Sequence, residues 1–213
     1  MKRLGRPLYS CIITEGEADP GNFQTERPRI LGIISEAVRD GVTMIQIREK
    51  RLPGGLLFAL VREAVTIAAH SPALILVNDR ADIAISADAD GVHLPGDSIP
   101  PEVIRGIFAD RLVVGVSTHS AEDALRAEHD GADYVLFGPV FASPGKSAPR
   151  GTVALQQVCE ELNIPVVALG GINETNFREV LGSGASGLAA IRSLNSPDTR
   201  REILSGMNQL LIS

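Results

Sequence analysis

The sequence predicts an α/β protein, a (β/α)8 TIM barrel, because eight short apolar segments alternate with helical segments along its 213 residues. Apolar runs bounded by turns and separated by helices are typical of a parallel sheet buried on both faces. A pattern in which glycine ends a helix before a strand recurs as D-G-V-T-M-I, D-A-D-G-V-H-L, D-G-A-D-Y-V-L and S-G-A-S-G-L-A. The recurrences lie roughly 40–55 residues apart, as one or two β/α units would give. A doubly wound open sheet is the alternative, but Thr14-Glu15-Gly16 lacks its glycine-rich fingerprint.

Each predicted strand is a short apolar or β-branched run that ends at a turn or at polar residues. The last two strands are bounded by Gly170-Gly171 and by the turn Gly182-Ser183-Gly184. In chain order the predicted strands are Leu8–Thr14, Thr43–Arg48, Ala73–Val77, Gly91–Leu94, Leu112–Val116, Tyr134–Phe137, Pro165–Leu169 and Gly187–Ile191.

The helices between these strands have helical spacing of apolar residues and recognisable ends. Asp40-Gly41 is a C-terminal stop, Pro101 suits a first helical position, and Ser120 suits an N-cap. Two long polar loops remain, Glu15–Pro28 and Gly138–Gly151, and such loops are uncommon unless they cover a site. The predicted helices are Ile30–Arg39, Leu56–Ala69, Ala81–Ser86, Pro101–Phe108, Ala121–His129, Val153–Leu162, a run between the last two strands, and Pro197–Ile212.

Composition predicts a single domain over residues 1–213 and argues against two classes of partner. The net charge is −6 and the only basic cluster is at Lys2, Arg3 and Arg6, which argues against nucleic acid. No apolar run approaches the roughly 18 residues of a membrane helix. Cys11 and Cys159 lie far apart in apolar runs, so we expect buried free thiols in a cytoplasmic protein. The oligomeric state is open, with a homodimer as the candidate assembly.

The candidate active site lies at the C-terminal ends of the strands, where the loops of such barrels carry the chemistry. Gln46, Arg48 and Lys50 alternate along the second strand, so period two places them on one face. Two cations directed at a barrel mouth predict a bound anion. The alternative is a solvated strand end with Arg48 or Lys50 paired to Glu49 or Asp79. Further polar residues follow strands three to six: Asn78, Asp79, His93, Asp97, Ser98, Ser117, His119, Ser143, Lys146 and Arg150.

Several of these residues have two interpretations. Asp79 suits Mg²⁺, which is usually held by one or two carboxylates plus phosphate oxygens, but it could equally cap the next helix. Gly170-Gly171, together with the loop after Ile191, could cradle a phosphate with backbone N–H groups or could simply turn the chain. His119 is a candidate acid/base or a neighbour of a helix cap, whereas His93 is predicted to be packed.

Seven segments resemble the thiamine phosphate synthase/TenI family, in order and from about Leu8 to Leu194: T-M-I-Q-I-R-E-K, L-V-N-D-R-A-D-I-A, D-G-V-H-L, G-V-S-T-H-S, D-G-A-D-Y-V-L-F-G-P-V-F, I-P-V-V-A-L-G-G-I and G-A-S-G-L-A-A-I. The resemblance implies a (β/α)8 barrel that acts on small phosphorylated substrates in thiamine biosynthesis. The family's synthases join a pyrimidine diphosphate to a thiazole phosphate, release diphosphate and use Mg²⁺. Its tautomerases aromatise the thiazole phosphate without a metal.

The resemblance also implies roles for individual residues. Gln46, Arg48, Lys50 and Asn78 match the pyrimidine diphosphate site, Asp79 a Mg²⁺ ligand and Ser117 a diphosphate-site serine. Lys146 matches the lysine of the loop after strand six. Synthases usually read T-x-T-K in this loop, and of its two hydroxyl side chains only one is kept here, as Ser143. Gly171 and Ile191 match the thiazole phosphate cup, and Arg192 replaces a serine there, where it would add a charged contact.

The sequence departs from the synthase pattern after strand four. His93-Leu94-Pro95-Gly96-Asp97-Ser98 has Ser98 where the second Mg²⁺-binding Asp is expected. Asp97, one residue early, is the candidate second metal ligand beside Asp79, and whether Asp97 or Ser98 replaces the missing ligand is left open. That turn and the position of His119 are closer to the tautomerase branch, whereas Gln46, Arg48, Lys50 and Asp79 suit a synthase. We therefore favour a synthase with Arg48, Lys50, Ser117 and Lys146 in the catalytic set. A tautomerase with His119 as proton shuttle is the second hypothesis, and a non-catalytic thiazole phosphate or thiamine phosphate binder is a distant third.

Overall fold

Eight parallel strands form a closed barrel in which each strand pairs with the next and β8 pairs with β1. A computed structural model describes residues 4–5, 8–143 and 148–211 of the chain. The closed strand order confirms the predicted (β/α)8 fold. The strands are β1 Tyr9–Ile13, β2 Met44–Ile47, β3 Leu74–Asn78, β4 Gly91–Leu94, β5 Val113–Thr118, β6 Tyr134–Phe137, β7 Val166–Leu169 and β8 Gly187–Ala190.

Helices cover the outside of the barrel, and the described residues include none long and apolar enough to cross a membrane. A 3-10 turn, Ala109–Arg111, follows α4. The α-helices are α1 Phe23–Asp40, α2 Gly54–Ala68, α3 Ala81–Ser86, α4 Pro101–Phe108, α5 Ala121–His129, α6 Gly151–Glu161, α7 Phe177–Gly182, α8 Arg192–Asn195 and α9 Pro197–Leu210.

The predicted loop Glu15–Pro28 is too long, because α1 begins at Phe23 and contains Pro28. Asp19 and Asn22 form a tight turn just before the helix. The Asp19 carboxylate accepts from the backbone of Asn22, and the Asn22 carboxamide oxygen accepts from the backbone of Asp19 at 2.7 Å. This turn starts the helix upstream of Pro28. The proline lacks a backbone N–H, so it removes only one donor from the helix. Helix α8, directly after β8, was also absent from the prediction.

The recurring sequence pattern has a physical cause at the N-terminal ends of β2, β4 and β6. The residue immediately before each of these strands accepts a hydrogen bond from a backbone N–H of the preceding strand. Thr43 Oγ1 accepts from Ser10 at 2.9 Å, and Asp90 Oδ2 accepts from Ile75 at 2.8 Å. Asp133 Oδ2 accepts from Val114 at 2.7 Å. The repeated Asp or Thr therefore links neighbouring strands in pairs.

Alternate side chains of each strand face the interior of the barrel, and the others face the helices. The outward set merges with the apolar faces of the helices into one large core. The two cysteines are free thiols as predicted, but only Cys11 is buried, and Cys159 on α6 is half-buried. The interior cluster comprises Tyr9, Cys11, Ile13, Met44, Leu74, Leu76, Val113, Tyr134, Leu136, Val167 and Ala189.

Tyr134 is the largest fully buried side chain of this interior cluster, and it needs the glycine at position 115 opposite it on β5. A Cβ atom at Gly115 would lie 2.1 Å from Tyr134 Cζ. Since Tyr134 is fully buried, its ring has no space into which to withdraw. Glycine at position 115 is therefore required for the ring to cross the barrel interior.

We predict that Gly115→Ala lowers the free energy of unfolding by about 1–3 kcal/mol or more through overpacking, measured by urea denaturation. Gly106→Ala on α4 is the control, because a Cβ there meets nothing within 4 Å. That control should instead raise stability by roughly 0.5–1 kcal/mol. Equal effects of the two variants would contradict this account of Tyr134.

Candidate active site

The C-terminal mouth of the barrel has one polar half and one apolar half. Strands β2 to β5 contribute inward-facing polar side chains, which follow interior residues at period two along their strands. The polar half consists of Gln46, Asn78, His93 and Ser117. The facing half consists of Ile13, Leu136, Leu169 and Ile191, which belong to the interior apolar cluster or pack against it. This arrangement suits a flat heterocycle with polar groups along one side.

Gln46 and Asn78 form a buried amide pair in the polar half. Gln46 Nε2 donates to Asn78 Oδ1 at 3.1 Å. Gln46 Oε1 is buried, and it has no hydrogen-bond partner among the described residues. A buried acceptor without a donor costs about 1–3 kcal/mol, so this oxygen is suited to a ligand that donates a hydrogen bond to it.

His93 lies in the interior between Tyr134 and Ser117. Its Nδ1 is 3.0 Å from the Tyr134 hydroxyl, and its Nε2 is 2.8 Å from Ser117 Oγ. His93 is 1% exposed, as expected for a packed residue, and burial lowers its pKa from 6.5 to about 3. A neutral imidazole therefore holds the predicted diphosphate-site serine in place at neutral pH. Tyr134 is a site-supporting residue that sequence patterns did not single out.

Arg48 and Lys50 lie just beyond β2, which ends at Ile47. Arg48 is half-buried and Lys50 is exposed. Neither forms an ion pair with a carboxylate in the described part of the chain, so the alternative of pairing to Glu49 or Asp79 is not observed there. Two uncompensated cations beside the polar half of the mouth favour a bound anion.

The carboxylate of Glu49 holds the β1–α1 loop instead of pairing with these cations. Glu49 is 2% exposed and accepts from the backbone of Gly16 at 3.2 Å and of Ala18 at 2.9 Å. Gly16 has φ +80°, and a Cβ there would lie 3.4 Å from a guanidinium nitrogen of Arg48. The loop thus packs beside Arg48 at the rim of the site. The period-two pattern places Glu49 away from the interior but gives no indication of this role.

Asp79 is joined by Ser98 and not by Asp97. The Asp79 backbone has φ +59°, a left-handed conformation that costs about 1 kcal/mol or more and is often found at functional sites. Its carboxylate accepts a short hydrogen bond from the Ser98 hydroxyl. Asp97 is exposed and makes no side-chain hydrogen bond or ion pair with the described residues.

The donors at Asp79 and Ser98 are hard oxygen atoms, the kind that Mg²⁺ prefers. No group of three or more His, Cys, Asp or Glu side chains among the described residues could hold a metal. Mg²⁺ usually takes only one or two carboxylates and completes its shell with water and phosphate oxygens. The Asp79–Ser98 pair therefore fits this ion together with a phosphorylated substrate.

His119 follows β5 at the outer rim of the mouth. It is exposed, and its Nδ1 forms a short hydrogen bond with the Gly138 carbonyl. Ser120 is the N-cap of α5 as predicted, accepting from the backbone of Asp123 at 3.1 Å. In the loop after β6, Ser143 is half-buried, and Lys146 lies outside the described residues.

The loops after β7 and β8 are joined at the predicted phosphate cup. Gly171 has φ +65°, and a Cβ there would lie 2.7 Å from the Ala142 carbonyl oxygen in the loop after β6. Its backbone N–H has no acceptor among the described residues. Ser193 Oγ donates to the Ile172 carbonyl at 2.8 Å and so connects this loop to the one containing Ile191. Arg192 is exposed at the same place.

These features define a (β/α)8-barrel protein with two cations beside a polar half of its mouth, and comparisons with known proteins identify its family. The chain belongs to the thiamine monophosphate synthase family, whose model matches residues 12–194. The thiamine-phosphate synthase of Chlorobium phaeovibrioides is 38% identical, covering 95% of this chain and 97% of the relative. That of Caldanaerobacter subterraneus subsp. tengcongensis is 39% identical, covering 95% and 96%. A thiamine phosphate pyrophosphorylase structure from Pyrococcus furiosus has a TM-score of 0.82 at 35% identity, covering 97% and 98%.

We predict that Glu49→Gln loosens the β1–α1 loop, because a carboxamide keeps only one oxygen for two backbone donors. The loss of one hydrogen bond to a charged acceptor should cost about 1–3 kcal/mol of local stability. The measurement is amide hydrogen exchange at Gly16 and Ala18, which should become roughly ten- to hundredfold faster.

The control for this variant is Glu17→Gln in the same loop, since the Glu17 side chain is 68% exposed. It should leave exchange at both amides unchanged. Wild-type exchange rates in the Glu49 variant would show that the carboxylate does not anchor the loop.

Proposed function

We propose that this protein is a thiamine-phosphate synthase, a transferase that couples 4-amino-2-methyl-5-hydroxymethylpyrimidine diphosphate to thiazole phosphate and releases diphosphate. The observation that carries the proposal is the buried oxygen of Gln46, which, like the cations Arg48 and Lys50 that follow it, has no partner among the described residues. The relatives named above support the same activity, since they are thiamine-phosphate synthases at 38% and 39% identity.

The amide pair supports recognition of the aminopyrimidine ring. Gln46 Oε1 is an acceptor, and the amide nitrogen of Asn78 donates to no described residue. An acceptor beside a donor complements an exocyclic amino group beside a ring nitrogen. The apolar half of the mouth would then cover the other side of the ring.

The leaving diphosphate would be bound by Arg48, Lys50, Ser117 and, from the loop after β6, Lys146 and Ser143. Cations and hydroxyl donors stabilise charge as it grows on the leaving oxygen. The carbon–oxygen bond to diphosphate breaks, the electron-rich pyrimidine stabilises the resulting cation, and the thiazole nitrogen forms the new bond to carbon. The protein contributes mainly positioning and electrostatic stabilisation.

Asp79 and Ser98 are the residues that would hold Mg²⁺. Bound there, the ion would neutralise part of the charge on the diphosphate oxygens. Asp97 makes no contact with Asp79, which supports Ser98 as the second protein oxygen in place of the expected carboxylate. The backbone N–H of Gly171, which has no acceptor in the described part of the chain, would bind the thiazole phosphate together with the neighbouring Ile191 and Arg192.

A thiazole tautomerase is the second candidate function, and the exposed His119 beside Gly138 supports it. The bond at Nδ1 leaves Nε2 free to move a proton. A tautomerase has no use for Arg48 and Lys50, which pair with no carboxylate of the described ranges, and these cations also argue against a binder that has lost catalysis. We propose a cytoplasmic location, supported by two free cysteines. A homodimer stays a prediction.

The deciding assay is thiamine phosphate formation from pyrimidine diphosphate and aromatic thiazole phosphate, with and without Mg²⁺. We expect product only with Mg²⁺, its loss in Asp79→Ala, and near-normal turnover in His119→Ala. A tautomerase would show the reverse, with His119→Ala costing about two to four powers of ten in rate on the non-aromatic substrate. Absence of metal-dependent product from folded protein would exclude the synthase.

Gln46→Leu should raise the KM for pyrimidine diphosphate about ten- to hundredfold, because the donor on the ring loses its acceptor. The KM for thiazole phosphate, measured in the same steady-state assay, should change little. An equal rise in both KM values would indicate general damage to the barrel mouth instead of lost recognition of the pyrimidine.

Ser98→Asp should lower the Mg²⁺ concentration needed for half-maximal binding of inorganic diphosphate by about tenfold, because a second carboxylate strengthens the ligand set. Calorimetric titration measures this without turnover. Asp97→Asn is the matched control and should leave the requirement unchanged. A large effect of Asp97→Asn, with none from Ser98→Asp, would assign the metal to Asp97.

A further inference from the structure

We propose that Tyr134 and His93 form a directional hydrogen-bond chain that makes Ser117 a donor, with its hydroxyl proton directed into the barrel mouth. The proposal rests on the proposed function, in which Ser117 contacts diphosphate. It assigns positioning roles to two residues that do not themselves touch the substrate. The ligand that this arrangement selects is one that only accepts hydrogen bonds, such as a phosphoryl oxygen.

The three side chains come from adjacent strands and meet inside the barrel. The Tyr134 hydroxyl on β6 is 3.0 Å from Nδ1 of His93 on β4. Nε2 of the same imidazole is 2.8 Å from Ser117 Oγ on β5. Tyr134 is 0% exposed and His93 is 1% exposed, so water cannot replace the hydrogen bond between these two side chains.

The direction of donation follows from the buried end of the chain. The Tyr134 hydroxyl has one hydrogen-bond partner among the described residues, His93 Nδ1. If Nδ1 carried the proton, the phenolic proton would have no acceptor in a dry interior, which is the costly outcome for a buried polar group. The phenol must therefore donate to Nδ1, which leaves the imidazole proton on Nε2.

The orientation of Ser117 follows from the position of that proton. Nε2–H donates to Ser117 Oγ and occupies one of its lone pairs. Ser117 is half-buried and has no other side-chain partner in the described part of the chain. The hydroxyl proton of Ser117 is then available to a ligand in the barrel mouth. In the opposite tautomer Ser117 would donate to His93 and present lone pairs, which repel a phosphate oxygen.

The tautomer of His93 is the first test, and it needs neither substrate nor turnover. The full-length protein is labelled with ¹⁵N-histidine, and the His93 signals are assigned as those lost in His93→Gln. We expect a protonated Nε2 and an unprotonated Nδ1. A protonated Nδ1, or both nitrogens protonated at neutral pH, would overturn the proposal.

A double-mutant cycle tests whether Tyr134 acts through Ser117. The probe is inorganic diphosphate with Mg²⁺, and calorimetry measures the dissociation constant. Ser117→Ala should weaken diphosphate binding about tenfold, because it removes one hydrogen bond to a charged acceptor. Tyr134→Phe should weaken binding roughly threefold or more. Combining the two should weaken binding no more than Ser117→Ala alone, because they remove the same interaction.

Additive losses would assign Tyr134 a structural role and overturn the directional chain. Tyr9→Phe is the control for removing a buried phenol hydroxyl from the interior, and it should leave diphosphate binding unchanged. If Tyr134→Phe does not fold, the tautomer measurement alone decides. A protein that binds diphosphate and shows the expected tautomer, yet forms no thiamine phosphate, would contradict the proposed function and leave this inference intact.

Discussion

Closure of the parallel sheet is the constraint on which the other features depend. Each strand pairs with a neighbour on both sides, and alternation then directs every second side chain into a shared interior. At the C-terminal edge, adjacent strands bring Gln46 against Asn78 and His93 against Ser117. The polar half of the mouth therefore results from strand order and register and does not depend on a mobile loop.

The charge at the mouth depends on which groups the nearby carboxylates bind. Glu49 accepts from the β1–α1 loop and Asp79 accepts from Ser98. Each carboxylate thus has a local partner other than Arg48 or Lys50. The positive charge at the mouth therefore depends on the hydrogen bonds of these carboxylates as much as on the two cations themselves.

After β4 the sequence of this chain departs from the synthase pattern, and the structure shows which side chain lies beside Asp79 there. Ser98 reaches Asp79 although a carboxylate was expected, and Asp97 faces solvent. A hydroxyl supplies a neutral oxygen in place of a charged one, so the protein would contribute less negative charge to a metal ion bound there. More of the binding would then come from the diphosphate, which suits an ion that usually arrives with phosphate oxygens.

Periodicity, turn residues and motif order were enough to predict the eight strands and the barrel, because these depend on local chemistry. The start of α1 was missed, since the Asp19–Asn22 turn overrides the apparent break at Pro28. Only the tertiary structure decided which side chains pair: Glu49 with Gly16, Ser98 with Asp79, and His93 with Tyr134, 41 residues away. Such bonds join residues that are distant in the sequence and meet only in the folded barrel, and no periodic pattern encodes them.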